Sequence, residues 1–228
     1  MTSPLSPLSP LFLPTGTVYG VLLNFQAETE ALAPQMNAPP YQAPPKAPVL
    51  YVKPANTWSQ NGTDIAVPVG AAEVELGASI AMVIGRDLRA ANEDTALAAL
   101  AGYVLVNDLS LPHTSFFRPP VKYKCVDGFL GIGPEMRPAG PSIDPSHFTL
   151  ELRVNGVLRQ SVRFSHLVRS AARLLADVSA FMTLRRGDLL LLGCDAGRPL
   201  ARAGDHITVS APGFASLHNQ LTAEAAPQ

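Results

Sequence analysis

The sequence predicts a mostly β, α+β fold with few helices, and three observations carry that expectation. The 22 prolines and 17 glycines are spread along the 228 residues rather than gathered in one place, which suits many short elements joined by turns. Runs rich in β-branched and aromatic residues recur between residues 17 and 211, and such side chains fit a pleated, half-buried surface. Asn155-Gly156 separates two of these runs, and Asn-Gly is the dipeptide that most favours a two-residue hairpin turn.

The chain opens on MTSPLSPLSPLFLP. This stretch lacks a positive leading region, and its prolines break an apolar helix of the signal-sequence kind. Residues 1–15 therefore read as a disordered or loosely docked tail. Strands are expected at TVYGVLLN (17–24) and VLYVK (49–53), with the Pro-rich APPYQAPPKAP (38–48) between them as a linker or lid. SIAMVIG (79–85) and YVLVNDLS (103–110) follow, and Asn92 between them can cap a short helix through NEDTALAALAG. FTLELRVN (148–155) and VLRQSVRF (157–164) form the hairpin. Ser165 can cap a longer helix to about Thr183, in which Leu167, Ala171, Leu174, Val178 and Phe181 recur at helical spacing and face a sheet as core. DLLLLG (188–193) and HITVSA (206–211) complete the series. The organisation is one domain over 16–222 with a short tail at 223–228, and no internal repeat is evident.

Bulk properties exclude several functions. Lys+Arg 17 against Asp+Glu 18 gives a net charge of -1, which offers no excess of positive charge to a phosphate backbone or an anionic bilayer, so no nucleic acid or membrane is expected as a partner. No run approaches the roughly 20 apolar residues that span a bilayer. Cys125 and Cys194 are the two cysteines, too few for a disulfide framework. A reducing cytoplasm is the simplest location.

Glu73-Val74-Glu75 raises the question of a metal clamp. Carboxylates at i and i+2 share one face of a strand, and a hard divalent cation takes oxygens of that kind. The same spacing also describes the solvated end of an amphipathic strand.

The combination of LYVKPANT, GASIAMVIG, AGYVLVNDLS and KCVDGFLGIGP with GDLLLLGCDAG and AGDHITV further on resembles the fumarylacetoacetate hydrolase family from about Gly16 to Leu221. Within it the segments are most similar to the first half, or first subunit, of two-part isomerase/decarboxylases. The resemblance implies a mixed β-roll with few helices, dimerised or fused as two halves. It also implies C–C cleavage, decarboxylation or tautomerisation of 2-oxo and 2-hydroxy-dienoic acids, with Mg²⁺ or a similar ion chelating the 2-oxo acid as electron sink.

Carried over residue by residue, the family's two metal glutamates fall on Gly77 and Ser79, with Gly85 as the strand's closing glycine. Glu73 and Glu75 stand too early in that register, and Glu75 reaches a cation only if the strand shifts or a bulge re-aims it. A two-residue step is about 6.6 Å. Asp108 matches the third ligand, and Lys124 matches the lysine that meets a substrate carboxylate or oxyanion. Lys124 otherwise reads as one of a basic loop with Arg118 and Lys122, and Lys53 reads as structural. The hydrolytic His-Glu motif falls on Asn24, Phe25, Glu28 and Ala31, so its histidine and carboxylate are replaced. The substrate-binding Arg-Asp falls on Pro112 and His113, and His113 is either a general base or an exposed loop residue. The Gly-Thr-Pro-Ala-Gly loop becomes Gly193-Cys194-Asp195-Ala196-Gly197, where Cys194 stands in for the hydroxyl that binds substrate.

Two expectations remain open from sequence. Either the chain is an enzyme acting on 5-oxopent-3-ene-1,2,5-tricarboxylate and 2-hydroxyhepta-2,4-diene-1,7-dioate around Asp108 and Lys124, or it has the fold without the metal clamp. In the second case it works as a homodimer or as a heterodimer with a metal-competent relative, or only binds dicarboxylates.

Overall fold

The computed structural model of the chain describes residues 11–115 and 117–225. The expected tails therefore lie partly outside the described residues, at 1–10 and 226–228.

In chain order the strands are β1 (Val18–Leu22), β2 (Val49–Lys53), β3 (Trp58–Gln60), β4 (Asp64–Val67), β5 (Val74–Glu75), β6 (Ala78–Ile84), β7 (Leu100–Asp108) and β8 (Leu130–Ile132). They continue as β9 (Arg137–Pro138), β10 (Thr149–Val154), β11 (Val157–Arg163), β12 (Leu189–Leu191), β13 (Leu200–Ala201), β14 (His206–Ser210) and β15 (Leu217–Ala223). The helices are α1 (Gln26–Met36), α2 (Glu93–Ala96), α3 (Val121–Lys124) and α4 (Ala171–Ser179).

An eight-stranded sheet runs β2-β1-β12-β6-β7-β8-β3, with β9 also on β7, and a five-stranded sheet runs β11-β10-β14-β15-β4. Both are mixed: β1 lies parallel to β12, β3 to β8 and β15 to β4. The mostly β expectation is met. β6 is buried along its whole length, because the large sheet is covered on both faces, and such strands read as continuous apolar runs. One face, with Ile80, Met82, Ile84 and Leu105, packs on Leu150, Leu152, Ile207 and Val209 of the smaller sheet. The other, with Ala81, Val83, Val104 and Val106, packs with Leu189, Leu191 and Ile132. Asn155 and Gly156 both take positive φ, 51° and 78°, the type I′ turn that their sequence favours.

Two helix expectations are corrected. The helix expected from Ser165 begins at Ala171, because Ser170 is the residue whose side chain accepts the Arg173 N–H, at 3.1 Å. It ends at Ser179, so Phe181 lies past the last turn and is 63% exposed instead of joining Ala171, Leu174 and Val178 in the core. The helix capped by Asn92 is a single turn, α2, tightened into a 3₁₀ turn at Leu97–Ala99 before β7 takes over at Leu100. Helix α1 was not anticipated: it carries Pro34, and Glu28 and Met36 are its buried residues, so no apolar stripe announces it.

Candidate functional site

The elements deliver a group of ionisable side chains to one place beneath the rim of the large sheet. Tyr51 and Lys53 alternate onto the inward face of β2. Asp108 ends β7, and Lys124 ends α3. Lys53, Asp108 and Lys124 are all at most 1% exposed.

Asp108 is held on both oxygens. Lys53 Nζ lies 2.9 Å from Oδ1 and Lys124 Nζ 2.8 Å from Oδ2, and the Tyr51 hydroxyl also donates to Oδ2. Burial works to raise the carboxyl's pKa, but the charges of Lys124 and then Lys53 outweigh it and hold Asp108 well below the usual carboxylate range. Beside its ion pair with Asp108, Lys53 Nζ donates to the carbonyls of Leu109 at 3.1 Å and Lys124 at 2.5 Å. Burial lowers its pKa against the attraction of Asp108. Burial, then the Asp108 charge, raises Tyr51 well above its ordinary value, so the phenol stays a donor. Lys124 lies 4.6 Å from the centre of the Tyr51 ring.

A second cluster adjoins the first. Glu28 of α1 accepts from Arg198 at 2.6 Å and from the Leu23 N–H at 2.6 Å. Arg198 also stands 3.7 Å from Glu75. Burial raises the Glu28 pKa, with the Arg198 charge opposing it. The start of α1 is pinned by Asn24, whose side chain donates to the Leu192 carbonyl at 2.9 Å and accepts the Arg169 N–H at 3.0 Å. Three cations, Lys53, Lys124 and Arg198, thus face three carboxylates, Asp108, Glu28 and Glu75.

Cys194 sits between the clusters, 3.4 Å from the Gly77 carbonyl and 4.0 Å from Asp108. Burial, helped by the Asp108 charge, pushes its thiol up to about 12, so it is a neutral thiol here and no nucleophile. His113 lies flat on Tyr123, with ring centroids 4.6 Å apart, and its Nδ1 is 2.9 Å from the Leu111 carbonyl.

An open cleft of about 560 Å³ reaches Tyr51 and Lys124 from outside. Its walls are mostly apolar, including Leu50, Val52, Phe117 and Val121, and among the described residues its lining contains Arg118 and Lys124 but no carboxylate. That size and composition suit a small ligand with an apolar body and a negative end. The Pro-rich segment meets this cleft through Tyr41, edge-on to Phe117 at 6.0 Å.

The divalent ion that the sequence resemblance implies does not fit these residues. β5 and β6 are separate strands in different sheets, so Glu75 does not continue the register of positions 77 and 79; it pairs with Arg198 instead. Glu73 is exposed. A Cβ on Gly77 would lie 2.5 Å from the Asp108 carbonyl oxygen and 2.8 Å from the Cys194 sulfur, leaving no room for a ligating side chain. Ser79 spends its hydroxyl on the Gly193 carbonyl at 2.5 Å. Among the described residues no three His, Cys, Asp or Glu side chains are grouped to hold a metal ion.

The structure places Asp108, Lys124 and Cys194, the three residues singled out from the motifs, beside one another. The motifs missed Tyr51 and Arg198. Tyr51 lies in a strand that the pattern does show, two residues before Lys53, and alternation alone places the two on one face.

Comparison with known proteins bears on what this site is. Residues 17–222 match the family model described as fumarylacetoacetate (FAA) hydrolase C-terminal. The chain is 39% identical over 209 residues to the 4-hydroxyphenylacetate degradation bifunctional isomerase/decarboxylase of Salmonella dublin, covering 92% of this chain and 48% of that protein. The chain thus spans about half the length of this relative. It is 31% identical to oxaloacetate tautomerase YcgM of Escherichia coli strain K12, over 75% of this chain and 80% of that protein. Its fold superposes on the X-ray structure of 5-carboxymethyl-2-hydroxymuconate delta-isomerase from Mycobacterium smegmatis with a TM-score of 0.79 at 28% identity, over 95% of this chain and 83% of that one. Family enzymes generally use a divalent metal. With its strand order, its Asp108–Lys124 pair and these matches together, the chain belongs to the fumarylacetoacetate hydrolase family.

Proposed function

We propose that this chain is one half of a cytoplasmic isomerase/decarboxylase of 4-hydroxyphenylacetate catabolism, acting on 5-oxopent-3-ene-1,2,5-tricarboxylate and 2-hydroxyhepta-2,4-diene-1,7-dioate. In this reading it works beside a related subunit that carries an intact Glu-x-Glu and the metal, and it does not turn substrate over alone. The observation that carries the reading is the pairing of 92% coverage of this chain with 48% coverage of the bifunctional relative. Two copies of one fold offer surfaces related by a pseudo-twofold axis, the arrangement that this reading uses.

The residues of this chain then bind and orient. Lys124, anchored by Asp108 and almost fully buried, lines the cleft, and its positive charge stabilises a substrate carboxylate or enolate oxygen held there. Tyr51 keeps Asp108 and Lys124 in register from β2. The apolar walls hold the diene and exclude water, Arg118 takes the far carboxylate, and the segment at 38–48 closes over it through Tyr41 and Phe117. Cys194 lines the site as a packing thiol against Gly77. A second reading, a dicarboxylate-binding module without turnover, draws on the same cleft.

The test is reconstitution. Decarboxylation of the tricarboxylate is followed by ultraviolet absorbance with this chain, with a metal-bearing family chain encoded beside it, and with the two mixed. Activity in the mixture well above the sum of the parts, lost on Lys124→Met, supports the half-enzyme reading. Additive rates, or full activity of either chain alone, overturn it.

A further inference from the structure

Glu28, Arg198 and Glu75 come from α1, from the loop after β12 and from β5, yet they meet around one guanidinium. The Glu28 and Arg198 side chains are 7% and 10% exposed. A carboxylate this deeply buried needs a counter-charge, and both carboxylates draw it from Arg198. Glu28 occupies the position of the family motif's histidine, and Glu75 belongs to the glutamate pair that stands out of register with a metal clamp.

The neighbouring Asp108 likewise draws its counter-charge from Lys53 and Lys124. Glu28, Glu75 and Asp108 are therefore each already paired with a cationic side chain of the same polypeptide. A guanidinium does this with directed hydrogen bonds in a fixed plane, and it cannot leave. A divalent ion would have to displace Arg198 or a lysine from these contacts.

We infer that Arg198, with Lys53 and Lys124 beside it, is the resident cation of this centre and takes over the charge role of a divalent ion. The centre is ordered and neutral without metal and does not take one up. The inference rests on the reading above for the comparison with a metal site, whereas the contacts themselves are independent of it.

The experiment uses the whole chain after dialysis against a chelator. Mn²⁺ is titrated in and followed by electron paramagnetic resonance, and the melting temperature is compared in chelator and in millimolar Mg²⁺. Arg198→Met and the double variant Glu28→Gln/Arg198→Met are melted alongside. The expected result is no stoichiometric Mn²⁺ uptake and the same melting temperature with or without Mg²⁺. Arg198→Met should melt about 6 to 20 °C lower, with part of the loss recovered in the double variant because the orphaned carboxylate goes with its cation. Stoichiometric Mn²⁺ uptake, a melting temperature raised by Mg²⁺, an unchanged Arg198→Met or a double variant no better than the single one overturns the inference. If neither variant folds, the metal measurements on the unaltered chain decide. None of these readouts depends on turnover, so failure of the half-enzyme reading would leave them standing.

Discussion

Replacing Asp108 by Asn removes one charge from a place where two cations depend on it. Lys53 and Lys124 stand 2.9 and 2.8 Å from its oxygens, all three side chains are at most 1% exposed, and among the described residues no other carboxylate forms an ion pair with either lysine. Removing one partner of a buried ion pair costs about 3–5 kcal/mol. At about 2–4 °C per kcal/mol for a domain of this size, the melting temperature at neutral pH should fall by roughly 6–20 °C.

The pH dependence is specific to this cause. In the parent chain the folded pKa of Asp108 is depressed, so its contribution is present above the unfolded carboxylate value and is lost only as pH falls through the depressed folded value. In Asp108→Asn the attraction that opposes burial at Lys53 is gone. Its folded pKa then falls further below its unfolded value, the unfolded chain binds more protons between the two, and stability rises with pH there. The deficit of the variant should therefore narrow between neutral pH and the lysine range. Scanning calorimetry of both proteins across that interval measures it. A loss under about 2 °C, smaller than one kcal/mol accounts for, or a deficit that does not narrow on the alkaline side, would refute the reasoning.

Other consequences follow from single contacts. Gly77→Glu restores the family residue by name, but its Cβ meets the Asp108 carbonyl oxygen at 2.5 Å; it should destabilise by about 1–3 kcal/mol and gain no Mn²⁺ affinity, read by urea melts and by titration. Gly156→Ala forces an L side chain to φ 78° and should cost about 1–2 kcal/mol in the same melts without altering ligand binding. In the native protein a thiol reagent near pH 8 should label Cys125, which is partly exposed, and spare Cys194, whose thiol is held at about 12; peptide mapping shows which, and both should react in denaturant.

Much of this architecture was legible in the sequence for identifiable reasons. β6, β7, β10 and β14 are apolar or alternating runs bounded by turns, and Asn155-Gly156 dictates its own turn. Asp108 and Lys124 were named from the motifs as metal ligand and substrate-binding lysine, but their ion pair with each other was not. The Arg198 cluster was not legible, because Arg198 and Glu28 are separated by 170 positions and ion pairing leaves no periodic trace. Where the chain breaks between the Glu73–Glu75 pair and the buried strand was not legible: Glu75 pairs backbone with Ser110 and Leu200, while β6 starts afresh at Ala78. Helix α1 escaped notice because its fit depends on Glu28 reaching Arg198 and the Leu23 N–H rather than on an apolar face.

The most direct measurement is turnover of 5-oxopent-3-ene-1,2,5-tricarboxylate by the purified chain alone, with Mg²⁺ and with chelator, followed by ultraviolet absorbance. The account predicts no metal-dependent turnover by the folded chain. Turnover that requires Mg²⁺ and disappears in both Glu75→Gln and Asp108→Asn would contradict it, because it would mean that these carboxylates leave Arg198 and the lysines to hold a metal.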